Sequence, residues 1–121
     1  MKLRILGNSI RLRLTQTEVS DLARLGKVSE TTQFGPDNLL VYELMLTTNE
    51  ELLVSFQDGK ISVALPTTIG QPWANSSEIS LRKEIHSAEG NHLSVLIEKD
   101  FKCKTKRVGE NEDDMFPNPD C

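Results

Sequence analysis

Two runs at the amino terminus, MKLRIL and SIRLRL, alternate apolar with basic positions: Leu3 and Ile5 against Lys2 and Arg4, then Ile10, Leu12 and Leu14 against Arg11 and Arg13. A period of two sends successive side chains to opposite faces of a pleated strand, so both runs predict strands with one apolar and one basic face. Gly7-Asn8 between them shifts the parity of the apolar positions. The shift fits a two-residue hairpin or a bulge in one longer strand, and the residues leave both open.

The period then changes. Thr15-Gln16-Thr17-Glu18 has the form of a capping box, in which hydroxyl and carboxylate satisfy amide donors at a helix start. Val19, Leu22, Ala23 and Leu25 follow at helical spacing and Gly26 is placed to stop them, which predicts a helix of about ten residues. From residue 28 onward VSETTQF, LLVYELMLT and ELLVSFQ read as strands again. Asp58-Gly59, between LLVSFQ and KISVAL, is the strongest hairpin signal, since both residues tolerate positive φ. Pro66 to Trp73, with prolines at 66 and 72, resists a strand reading and fits one helical turn or a loop. Ile79, Leu81 and Ile85, then Leu93, Val95 and Ile97, alternate with polar residues around Ser87–Asn91 and predict a last hairpin.

The pattern thus gives one α+β domain over 1–103: one main helix and a mostly antiparallel sheet of six to eight strands, barrel-like if it curls. Residues 104–121 read as a tail docked on that domain or partly disordered. The expected core takes Leu12, Leu14, Val19, Leu22, Tyr42, Leu44, Val54, Phe56, Val63, Leu81, Val95 and Ile97. The opposite face takes Arg11, Arg13, Glu43, Arg82, Glu84, Glu98 and Asp100. No internal repeat is visible.

Composition narrows the class without naming an activity. Over 121 residues, 37% apolar and 26% charged, one domain can bury a core without disulfide or metal support. No apolar run reaches membrane-span length and Lys2, Arg4, Arg11 and Arg13 interrupt any leader-like stretch, so a cytoplasmic protein is expected. A net charge of −4 argues against general nucleic-acid binding. The charge is uneven: +4 over 1–27, −6 over 28–97 and −2 over 98–121.

Candidate chemistry follows from where charge and special residues gather. Arg11 and Arg13 point one way on their strand, and Arg82, Glu98 and Asp100 can join them; grouped guanidinium forks suit a phosphate or carboxylate ligand. The alternating glutamates of polyphosphate-processing barrels are missing. Cys103, among Lys102, Lys104 and Lys106, has the cationic surroundings that favour a thiolate, but no histidine can be placed beside it as a base. Cys103 and Cys121, His86 and His92, and the acids Glu110 to Asp114 lack the spacing of a zinc or calcium site, and no metal, cofactor or catalytic residue is assigned. Trp73, the sole tryptophan, and Phe116 are the candidate partner contacts.

Both ends of the chain, KLRILGNSIRLRLTQTEV and EKDFKC with EDDMFPNP, resemble a family of short, single-domain bacterial proteins of cyanobacterial and Bacteroidetes type carried as a domain of unknown function. The resemblance covers the whole chain and rests on Gly7, Asn8, Arg11, Arg13, Glu98, Lys99, Asp100, Phe101, Cys103 and the acidic run before Phe116-Pro117-Asn118-Pro119. It implies no activity, cofactor or partner. The expectation is a non-catalytic binding or interaction module, with a protein partner or a small anionic ligand and neither nucleic acid nor membrane; a homodimer stays open. An anion binder using an Arg-lined sheet face is the alternative, and a metal-dependent hydrolase a more distant one.

Overall fold

The computed structural model describes residues 1–101 and 113–117. Cys103, Cys121 and most of the 104–121 tail lie outside the described residues. Among the described residues eight strands and two helices follow one another: β1 (Lys2–Leu6), β2 (Ser9–Leu14), α1 (Gln16–Leu25), β3 (Lys27–Gly35), β4 (Asn38–Thr47), β5 (Leu53–Gln57), β6 (Lys60–Pro66), α2 (Thr67–Ala74), β7 (Ser80–His86) and β8 (His92–Lys99).

Gly7-Asn8 closes a hairpin: β1 pairs antiparallel with β2, and Gly7 takes φ 54°, a conformation glycine adopts without a Cβ penalty. Asp58 and Gly59 both have positive φ and join β5 to β6, as that dipeptide predicts. The capping box of α1 forms in full, with Thr15 and Glu18 bonded to each other's amides and Gly26 ending the helix at φ 82°.

The expected single, mostly antiparallel sheet is corrected. The strands form two open four-stranded mixed sheets, ordered β1-β2-β8-β7 and β3-β4-β6-β5. In each, two outer pairings are antiparallel and the central one is parallel, β2 with β8 and β4 with β6. Local alternation specifies strands and hairpins but says nothing of a parallel pairing between residues 9–14 and 94–99. The stretch from Pro66 to Trp73 is a second helix rather than a loop. Its N-cap Pro66 supplies no side-chain bond, and Gly70 lets it approach the sheet: a Cβ there would stand 2.5 Å from Leu46 Cδ2.

An internal repeat, invisible in the residue pattern, organises this topology. Each half of the chain runs hairpin, helix, hairpin, and each sheet takes one hairpin from each half. The register repeats as well. Arg4 pairs with Arg11 as Ser55 pairs with Ser62, 51 positions later, and Arg82 pairs with Leu96 as Ser29 pairs with Glu43, 53 positions earlier. Both helices start at the same phase, Gln16 and Thr67, again 51 apart. Only inward positions look alike: Ile10, Leu12 and Leu14 answer to Ile61, Val63 and Leu65.

Those inward residues meet in one core. Leu12, Leu14, Val95 and Ile97 from one sheet, Leu44, Val63 and Leu65 from the other, and Val19, Leu22 and Trp73 from the helices belong to a single buried cluster. Phe56, expected in that core, is 68% exposed: it lies on the edge strand β5, next to the Asp58-Gly59 turn. Glu43 likewise moves: it lies on the second sheet, apart from Arg11 and Arg13.

Candidate functional site

The outward face of the β1-β2-β8-β7 sheet collects the cations that alternation assigns there. Register places Lys2, Arg13, Glu98 and Ser80 in one row across the four strands, and Arg4, Arg11, Leu96 and Arg82 in the next. Strands stand about 4.8 Å apart, so the second row spans roughly 14 Å from Arg4 to Arg82. With Glu84 and Asp100 the face carries five cations against three carboxylates, in a chain whose net charge is −4.

The two rows differ in how far their charges are matched. Arg13 Nε donates to Glu98 Oε1 at 2.6 Å, and Arg11 Nε lies 3.4 Å from the same oxygen. Lys2 Nζ is 3.0 Å from Oδ2 of the buried Asp100. Arg4 and Arg82 make no ion pair within 4 Å among the described residues. Arg82 acts at longer range on Glu84, whose carboxyl is held below its usual range: burial opposes this, and bonds from Ser94 and His92 with the Arg82 charge outweigh it. A cleft of about 140 Å³ lies over this row, lined by Arg4, Leu6, Ser9, Arg11, Arg82, Ser94 and Leu96. A second of about 340 Å³ adjoins it over Lys2, Arg4, Arg11 and Arg13.

Of the residues singled out in the sequence, Arg11, Arg13, Arg82 and Glu98 therefore share one sheet face, with Asp100 joined to it through Lys2 and with β2 and β8 side by side. Cys103 lies outside the described residues. Arg4 and Lys2 were not among the site candidates, although the alternation of MKLRIL already aims them with Arg11 and Arg13. Register, which sequence does not display, makes them neighbours.

The other candidates sit elsewhere. Trp73 is 1% exposed and packs in the core under Lys99, whose ammonium stands 5.2 Å from the indole centroid. That ammonium donates to the carbonyls of Trp73 at 2.9 Å and Ser76 at 2.6 Å, capping the end of α2 with positive charge, and burial holds its pKa below the usual lysine value against the pull of Glu78. Phe116 lies 5.5 Å from Phe101, the two rings tilted, and donates its amide to the Asp100 carbonyl at 2.8 Å, while the neighbouring Met115 is buried. Asp114 accepts from the Thr17 amide and hydroxyl at the start of α1. His86 and His92 face each other across the last hairpin, rings stacked at 4.7 Å, with His92 Nε2 on Glu84. Among the described residues no group of three or more His, Cys, Asp and Glu side chains is arranged to hold a metal ion. No helix among them is long and apolar enough to cross a membrane.

A family model described as a family of unknown function, DUF7009, matches residues 1–120. No curated protein and no solved structure matches the chain.

Proposed function

We propose that this protein, which belongs to the DUF7009 family of unknown function, is a non-catalytic binding module that takes a small anionic ligand on the outward face of the β1-β2-β8-β7 sheet. The observation that carries the reading is the row Arg4–Arg11–Leu96–Arg82. Three guanidinium groups flank one apolar residue on a rigid sheet, and the two outer ones make no ion pair among the described residues. Arginine forks match phosphate and carboxylate oxygens, and sheet positions hold them in place before the ligand arrives. The hydroxyls lining the cleft are engaged, Ser9 with the Leu6 carbonyl and Ser94 with Glu84, so they orient rather than attack. Binding occurs in a cytoplasmic setting on this reading.

A competing cleft of about 400 Å³, lined by Glu50, Glu51, Glu84, Lys83 and His86, carries more carboxylates than cations and suits an anion poorly.

The test is a thermal-shift series with orthophosphate, pyrophosphate, a nucleoside triphosphate and citrate at fixed ionic strength. A ligand at tenfold excess over its Kd stabilises by about 1.4 kcal/mol, which raises Tm by about 5–6 °C in a chain of this size. Arg11→Ala and Arg82→Ala should each remove most of that rise. No shift with any of the four anions, or a shift that survives both substitutions, would sink the reading.

A further inference from the structure

The two sheets end in four edge strands, and three of them are guarded. β1 carries Lys2 and Arg4, β3 carries Lys27 and Glu30, and β7 carries Arg82, Lys83 and Glu84. Charged residues on an edge oppose pairing with another chain. β5 is the exception: Leu53-Val54-Ser55-Phe56-Gln57 contains no charge, no proline and no bulge, and Leu53 and Phe56 are 51% and 68% exposed.

Its backbone is poised to pair. The two-residue turn at Asp58-Gly59 makes Gln57–Lys60 a hydrogen-bonded pair, so Ser55 and Leu53 also turn their amides toward β6. Val54 and Phe56 turn theirs outward, where no hydrogen bond to them occurs among the described residues. We infer that β5 is a self-association edge, on which a second copy of this chain pairs antiparallel about a two-fold axis through Ser55.

That register follows from the residues. Centring on Ser55 sets Val54 of each copy opposite Phe56 of the other. Both carry outward amide and carbonyl groups, so the two pairs exchange four hydrogen bonds and join the sheets into one of eight strands. Val54 and Phe56 stand on the inward face, so each contact is an aromatic on a β-branched side chain, a favourable cross-strand combination. Nothing charged opposes its own copy.

The internal repeat supplies the control. β1 occupies the equivalent edge of the other sheet, and its central residue, 51 positions before Ser55, is Arg4. The same pairing there would set Arg4 against Arg4. One framework thus carries a closed edge and an open one, and the open edge lies on the other sheet from the proposed anion site.

Sedimentation equilibrium of the full chain from roughly 1 µM to 1 mM reads the association. The expected mass rises from that of the 13.6 kDa chain toward twice that value. Ser55→Arg, which gives β5 the central residue of β1, should hold the mass at the monomer with its far-ultraviolet circular dichroism unchanged. Ser55→Cys, in a chain with Cys103 and Cys121 replaced by serine, should form a 55–55 disulfide on mild oxidation. The residue sits at a non-hydrogen-bonded pair, where Cα atoms stand about 4.5 Å apart, within disulfide reach. A monomeric wild type over the whole range overturns the inference. So does an Ser55→Arg chain that still dimerises, which would place association on another face, or the absence of the cross-link.

Discussion

The outward faces of the two sheets share a register and almost nothing else. Where one sheet presents Arg4, Arg11, Leu96 and Arg82 in a row, the other presents Ser55, Ser62, Glu43 and Ser29 at the equivalent positions. The first row is cationic and under-compensated. The second centres on one carboxylate, 3% exposed, with Lys60 Nζ at 2.6 Å and Lys27 Nζ at 3.4 Å. Burial alone would push the Glu43 carboxyl up, but the two lysines outweigh it and hold it below its usual range. Apolar inward positions such as Ile10, Leu12 and Leu14 match Ile61, Val63 and Leu65, while the outward positions diverge and make one sheet a charged surface and the other a neutralised one.

The largest test of that division is at the core. Leu14 and Leu65 are equivalent positions, both fully buried, and each substitution to alanine should cost about 2–5 kcal/mol in urea unfolding. A large cost at one and none at the other would break the equivalence of the inward faces. Next comes the buried carboxylate. Glu43→Ala strands two lysines, but these are 58% and 48% exposed, so solvent screening reduces the penalty to about 1–2 kcal/mol.

The same group gives a pH signature. A carboxyl whose folded pKa is depressed adds stability above its unfolded pKa, and loses it as pH falls through the lower folded value. Urea midpoints of wild type and Glu43→Gln should therefore differ at neutral pH and converge in acid below the ordinary carboxylate range. Constant separation across that range would show that charge is not what Glu43 contributes.

The smallest effect contrasts the helices. Thr15 and Pro66 are equivalent N-cap positions, and only Thr15 bonds the helix start, so Thr15→Ala should cost about 1 kcal/mol. Asp114 reinforces the same turn from the carboxy-terminal segment, with its carboxyl held low by bonds from Thr15 and Thr17 against some burial. Asp114→Ala should take about half as much, read in the same urea experiment.

Sequence showed the elements that depend on neighbours in the chain. The strands, the Asp58-Gly59 hairpin and the capped helix α1 are all specified within a few residues. α2 showed only as one helical turn or a loop, because Pro66 and Pro72 are poor helix signals, while its stability comes from Trp73 in the core and from Gly70 against Leu46, both tertiary. The site was half legible: alternation aims Arg11 and Arg13 together, and nothing local says that Arg82 and Arg4 complete their row. The repeat was hidden because it survives in inward apolar positions, which any strand could show.

The exchange of hairpins between the halves has a consequence for how the chain reaches this state. Neither half contains a complete sheet: β2 waits for β8, 85 positions away, and β6 must find β4 across an intervening strand and turn. Stable partial structures are therefore scarce, and most of the native surface is buried only once both central parallel pairs close. Refolding should be slow for a chain of 121 residues, unfolding should follow a single sigmoid by every probe, and a nascent chain released before β8 emerges would leave the backbone edge and apolar inward face of β2 uncovered.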